Sequence, residues 1–128
     1  MDERAFFVSG DWASSELLDR LLGWAPAAAP SAAASATAPA GVSGKFSLIL
    51  SAETVYTAEA LRALHALILL TLAPGGVALC AAKRYYFGLG GGTRALCEHA
   101  AAAGQLRARV VAVTEERNVV REIVELRF

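Results

Sequence analysis

The segment Phe46-Ser47-Leu48-Ile49-Leu50 most restricts what this chain can become. It is too short for a helix and is the right length for a strand. Its apolar residues run together rather than alternating, which predicts a strand covered on both faces, as in a parallel α/β sheet. Chemistry-bearing residues follow at once: Ser51, Glu53 and Tyr56. In open α/β sheets, ligands bind just beyond the carboxyl ends of the strands. Chain order alone therefore sets a carboxylate and a phenol at the mouth of a buried strand.

The remaining elements can be read around that strand. Thr57 suits a helix N-cap and Glu59 its first turn. Leu61, Leu64, Ile68 and Leu72 form an apolar stripe that Leu67 and Leu70 widen. Ala73-Pro74-Gly75-Gly76 breaks this helix with a sharp turn, and Val77 to Ala82 reads as a second apolar strand. Lys83 to Gly92 forms a loop, after which Thr93 is placed to cap a helix ending at Gly104. Lys83 and Arg84, at the end of the strand, are the kind of pair that is usually solvated. Leu106 to Thr114 and Val119 to Phe128 are strand-like and are joined by the short polar link Glu115 to Asn118, which predicts an antiparallel hairpin. The order is β-α-β-α-β-β, with helical crossovers making the first strands parallel.

Toward the N-terminus, Arg4 to Val8 is a short apolar run broken by Ser9-Gly10-Asp11-Trp12. A helix is expected from Ser14 or Ser15 to Gly23, with Leu17, Leu18, Leu21 and Leu22 on one face. Residues 24–44 read as a disordered alanine- and proline-rich insertion. Ten of the 17 residues from Ala25 to Gly41 are alanine, while Pro26, Pro30 and Pro39 interrupt any helix.

The charges balance, 12 basic against 12 acidic, which argues against direct binding of nucleic acid or of a membrane surface. The start, Met1-Asp2-Glu3-Arg4, does not read as a secretory signal, and Ala58 to Ala73 is too short and polar to span a bilayer. Cys80 and Cys97 read as buried thiols, and the expected location is the cytosol or nucleus. His65 and His99 lie on helices without metal-ligand spacing to a cysteine, so no metal site is expected.

Four segments carry a family resemblance. Ser51-Ala52-Glu53-Thr54-Val55-Tyr56 resembles the S-x-E-T-[IV]-Y motif that follows the fourth strand of histidine protein methyltransferases, a variant of the D-x-x-Y of lysine methyltransferases. Tyr85-Tyr86-Phe87-Gly88-Leu89-Gly90-Gly91-Gly92-Thr93 resembles their Y-F-G-x-G-G-G loop, and Phe7-Val8-Ser9-Gly10-Asp11-Trp12 their F-x-S-G-D-W segment. Leu72-Ala73-Pro74-Gly75-Gly76 is similar to the L-x-P-G-G turn before the fifth strand. The resemblance implies an α/β fold: the C-terminal half of a Rossmann-like, seven-stranded class I methyltransferase sheet, with parallel strands and a terminal antiparallel β-hairpin. It implies that residues 1–128 are a partial methyltransferase domain, without the first three strands and their glycine-rich cofactor loop. The chain then reads as truncated, with an incomplete site for S-adenosylmethionine and a bare, aggregation-prone edge on the Phe46 strand.

By resemblance, Gly10, Asp11, Trp12 and Ser51 lie on the cofactor side and Glu53 and Tyr56 act on the acceptor. Tyr86, Phe87 and Gly88 would meet the protein substrate, for this family a histidine of a ribosomal or ribosome-associated protein. For each residue there is a plainer alternative: Asp11 in a turn, Trp12 in the core, Glu53 in a solvated loop. The glycine run does not fit a dinucleotide loop, since Thr93 stands where the third glycine would fall, and it reads instead as a flexible loop shaping a substrate cleft. Two other functions stay open: a non-catalytic interaction module, and lysine methylation, against which the glycine-rich loop argues.

Overall fold

The structure, a computed structural model, describes residues 10, 11, 14, 16, 17 and 46–128. The elements are β1 (Phe46–Ala52), α1 (Ala58–Thr71), β2 (Leu72–Lys83), α2 (Thr93–Ala103), β3 (Arg107–Glu116) and β4 (Val119–Arg127). They form a four-stranded sheet in the order β1-β2-β4-β3. β1 and β2 run parallel, and β4 is antiparallel to both β2 and β3. The last strand thus inserts between the second and third. The alanine-rich insertion, Trp12 and most of the expected first helix lie outside the described residues. Ser14, which is described, does cap: its hydroxyl accepts from the Leu17 amide at 3.2 Å.

Local chemistry accounts for most element ends. Thr57 caps α1 through its hydroxyl, 3.1 Å from the Ala60 amide. Gly104, at φ 72°, closes α2 in the left-handed conformation. The β3–β4 link is tighter than the sequence suggests. Arg117 and Asn118, at φ 51° and 64°, make a two-residue turn, and the strands extend to meet it. Ala73 to Gly76 do not turn ahead of β2 but bulge from it, and Leu72, expected in the helical stripe, opens that strand. Between the pairs Phe46↔Leu72 and Leu48↔Val77, β2 advances five residues (72 to 77) while β1 advances two (46 to 48). A side chain on Gly76 would press on the Ser47 carbonyl, 3.0 Å from its Cβ position.

Both helices pack on one face of the sheet. Leu61, Leu64, Ile68, Leu96 and Ala100 meet Ala78, Cys80, Ala82, Val124 and Leu126 in a single core. Leu70 does not widen the buried stripe, because it faces solvent. The expectation that β1 is covered on both faces is also corrected. Ile49 and Ser51 pair with Ala78 and Cys80 on the helical face. Leu48 and Leu50 point the other way and are 52% and 70% exposed. The described helices cover only one face, and β1 sits at one margin of the sheet.

His65, 4% exposed, joins α1 to α2 by an edge-on contact with His99, ring centroids 4.6 Å apart. Its Nε2 has no hydrogen-bond partner. Burial, then the neighbouring His99, lowers its pKa below the ordinary 6.5. A depressed histidine stabilises the fold above its unfolded pKa and withdraws that stability as pH falls through the folded value. We therefore expect the melting temperature to drop between pH 7 and pH 5, and His65→Leu to flatten that drop in circular-dichroism melts.

Candidate functional site

The site forms where the strands end. β1 carries Ser51 on the helical face beside Cys80. Burial pushes the Cys80 thiol up to about 11, partly offset by its hydrogen bond with Ser51, so the thiol is protonated at neutral pH. Ser51 also shares a short hydroxyl–hydroxyl hydrogen bond with Thr54. The chain then turns out of the sheet at Glu53, whose φ of 53° is left-handed. Such a backbone is costly for a residue with a side chain and is found disproportionately at functional sites. The Glu53 amide is held by the Ala81 carbonyl at 2.8 Å, and its carboxylate projects at the mouth of the β1–β2 pair.

The partner that reaches Glu53 is Tyr86, not Tyr56. The Tyr86 hydroxyl donates a short hydrogen bond to Glu53 Oε2. It also accepts from the Lys83 amide at 3.3 Å, while the Lys83 ammonium lies 5.5 Å from the ring centroid. Burial first, and the Glu53 carboxylate second, raise the Tyr86 pKa, so the phenol keeps its proton and remains a donor. Arg121 of β4 approaches the other oxygen, Oε1, at 3.7 Å. Tyr56 has its ring half exposed, and no described hydrogen bond joins it to Glu53.

The glycine run has a different reason from the flexibility the sequence suggests. A Cβ on Gly91 would overlap the Val55 carbonyl oxygen and the Tyr56 carbonyl group. The Gly92 amide donates to the Val55 carbonyl at 2.7 Å, and Thr57 bridges Gly90. Gly92, at φ 114°, lies against the Arg84 carbonyl. The loop is wedged backbone to backbone against residues 55–57, a closeness only glycine permits. It thereby ties the two motifs into one unit. Phe87, 95% exposed, projects from it beside Tyr85 with ring centroids 6.4 Å apart, and Gly88 (φ 76°) turns the chain.

Two cavities flank the Glu53–Tyr86 bond. One, about 360 Å³, is lined by Lys83, Tyr85, Tyr86, Phe87, Leu89 and Val119 among others. The other, about 240 Å³, has Glu53, Arg121, Thr114 and the small residues Ala52 and Ala81 in its wall. Gly10 and Asp11, which the resemblance assigns to the cofactor, are both exposed, with the Asp11 carbonyl accepting from the Ser14 amide at 2.9 Å. No described contact joins these two residues to the Glu53 cluster. Trp12 lies outside the described residues.

Two expectations near the site need correction. Arg84 is not simply solvated: it donates to Glu122 through Nε at 2.8 Å and through Nη2 at 2.5 Å. Thr93 does not cap α2. Gly92 holds the N-cap position without a side-chain bond, and the buried Thr93 hydroxyl donates to Glu122 at 2.5 Å. Burial works to raise the Glu122 pKa, but the Arg84 and Thr93 hydrogen bonds outweigh it and hold the carboxyl below its ordinary range. Glu122 thus fastens β4 to the end of β2 and the start of α2. The sequence held a signal for it: Glu122 is the one charged residue on the apolar phase Val120, Glu122, Val124, Leu126, and a buried carboxylate needs partners. Glu122→Ala should cost about 2 kcal/mol, allowing for the partly exposed arginine, in urea unfolding. Arg121 offered no such signal, because its nearness to Glu53 depends on the strand order.

Fold and site together define a mixed α/β protein with a polar site at the carboxyl mouth of two parallel strands. No protein-family model matches the chain. Its relatives are more specific. Over 124 residues, 96% of this chain, it is 31% identical to a Dictyostelium discoideum protein named histidine protein methyltransferase 1 homolog, of which it covers 33%. It is 33% identical over 84 residues to proteins of the same name from Rattus norvegicus and Mus musculus, matching 66% of this chain and 23% of each of those proteins. By sequence the chain is similar to the C-terminal part of proteins named histidine protein methyltransferase 1 homolog. It spans a third or less of the length of these curated relatives.

Proposed function

We propose that this chain carries the acceptor side of an S-adenosylmethionine-dependent protein-histidine methyltransferase, as the C-terminal part of a Rossmann-like class I sheet. The observation that carries the reading is the Tyr86–Glu53 hydrogen bond. It joins two motifs 33 residues apart at the mouth of the parallel strands, on a backbone strained to present the carboxylate.

The site suits an imidazole acceptor. A neutral imidazole has one N–H donor and one nitrogen lone pair. A carboxylate has several acceptor positions, so Glu53 can keep Tyr86 on Oε2 and take the imidazole N–H on Oε1. That selects the tautomer whose free nitrogen faces away from Glu53, and the negative charge favours the cation formed as that nitrogen is alkylated. Tyr86 and Arg121 hold the carboxylate in place, and Tyr56 and Phe87 offer ring surface to the substrate protein. S-adenosylmethionine, when bound, supplies an electrophilic methyl group on a sulfonium. Asp11 suits its adenine amine as an acceptor, with Gly10 and Trp12 assigned to the ring by resemblance and Ser51 to the methyl end. Asp11 and Ser51 are chemically suited to one side of this cofactor. We assign its remaining contacts to the portion of the relatives that this chain does not match. A ribosomal or ribosome-associated substrate, met in the cytosol or nucleus, belongs to the same proposal.

A second reading, a binding surface without methyl transfer, is favoured by Phe87, whose 95% exposure beside an aromatic groove suits protein contact. A chimera separates the two. This chain replaces the matching third of the Dictyostelium relative, and methyl-labelled S-adenosylmethionine is incubated with protein extract. Methylhistidine after hydrolysis supports the proposal. Label on lysine, or an inactive chimera beside an active parent, would overturn it.

A further inference from the structure

The outer edge of β3 presents an arrangement that the methyltransferase reading does not use. β3 is the marginal strand opposite β1, ten residues long, with no proline or lysine to blunt it. Natural edge strands are usually protected by such residues, by covering elements or by bulges; β3 carries a bulge between Val110 and Ala112. Here the centre is apolar and open: Val110, Val111 and Val113 are 39%, 43% and 55% exposed. The two ends carry opposite charge, Arg107 and Arg109 at one and Glu115 and Glu116 at the other. Arg109 is paired within the chain with Glu125 at 3.1 Å. Arg107 donates within the chain only to the Phe128 carbonyl oxygen, at 3.4 Å, and among the described residues Glu115 and Glu116 form no ion pair.

We propose that β3 pairs with β3 of a second copy of this chain, antiparallel across a two-fold axis, to make a continuous eight-stranded sheet. A strand positive at its start and negative at its end is its own complement when reversed. Centring the axis between Val111 and Ala112 brings Arg107 opposite the partner's Glu116 and Val110 opposite the partner's Val113. The bulge between Val110 and Ala112 makes this register possible. In its pairing with β4, Arg107 lies opposite Arg127 and Glu116 opposite Val119, odd-numbered positions of one strand that share a face. Arg107 and Glu116 therefore share a face although they are nine positions apart (116 − 107), which an unbroken strand would forbid. Val110 and Val113 share the opposite, helical face by the same count, being opposite Val124 and Glu122. Both arms thus match side for side. Opposite charges directly across an antiparallel pair favour that register over slipped ones.

Light scattering behind size exclusion, from micromolar to hundreds of micromolar chain, reads the mass. The expected result is a dimer that weakens as salt rises. Arg107→Glu and Glu116→Arg should each move the midpoint of association to at least tenfold higher concentration, and the double reversal R107E/E116R should restore it. Hydrogen exchange at Val110 to Thr114 should slow with concentration in the wild type and in the double reversal only. A wild type that stays monomeric, or self-association that ignores both single reversals, would overturn the proposal. Circular dichroism on each variant separates lost pairing from lost fold.

Discussion

Gly91→Ala should destabilise the fold by about 3 kcal/mol, near the upper end for a single added methyl in a packed place. The methyl would overlap backbone atoms, the Val55 carbonyl oxygen and the Tyr56 carbonyl group, and no rotamer change can relieve that. Either the glycine loop lifts, giving up the 2.7 Å bond from the Gly92 amide to the Val55 carbonyl, or residues 55–57 shift and Val55 leaves its fully buried place. Both routes separate Tyr86 from Glu53. The instructive comparison is Gly88→Ala. Gly88 has φ 76° but nothing within 4 Å of its Cβ position, so only backbone strain is added, about 1 kcal/mol. Urea unfolding of the two variants side by side is the measurement. Equal losses would mean that the loop is not wedged.

The largest expected effect on activity is at Glu53. In the active chimera, Glu53→Gln should lower the rate constant for transfer by about 100-fold or more, within the range for loss of one positioned acid–base group. Glutamine keeps the size and can still accept from Tyr86, so the melting curve should hardly move. What it loses is the negative charge that the proposed function sets against the acceptor, and with it control of the tautomer. Tyr86→Phe should fall less, about 10-fold, since Arg121 still flanks the carboxylate at 3.7 Å. Single-turnover transfer from labelled S-adenosylmethionine measures both. A Glu53→Gln chimera with unchanged rate would remove Glu53 from the acceptor chemistry.

These two residues show how far the chain could be read before folding. Elements were legible because their signals are local. Thr57 capped α1, Gly104 closed α2, and the alternation from Val120 to Phe128 marked a strand with one buried face. The motif around Glu53 was legible as chemistry, since a carboxylate directly after an apolar run falls at a strand mouth wherever the run becomes a strand. Buried Glu122 was half legible, as a charge on the wrong phase, but its partners were not: Arg84 and Thr93 are 38 and 29 residues away in the chain.

What only the tertiary structure decided follows from strand order and close approach, which no short window of residues encodes. Insertion of β4 between β2 and β3 swings Arg121 to Glu53 and leaves β3 at the margin. Packing of the glycine loop on residues 55–57 turns an apparently flexible run into a wedge and brings Tyr86, rather than Tyr56, to the carboxylate. The sequence by itself determined which groups stand at the mouth of β1. Which of them touch was decided by the fold, because contact between residues 33 apart depends on the path of everything between them.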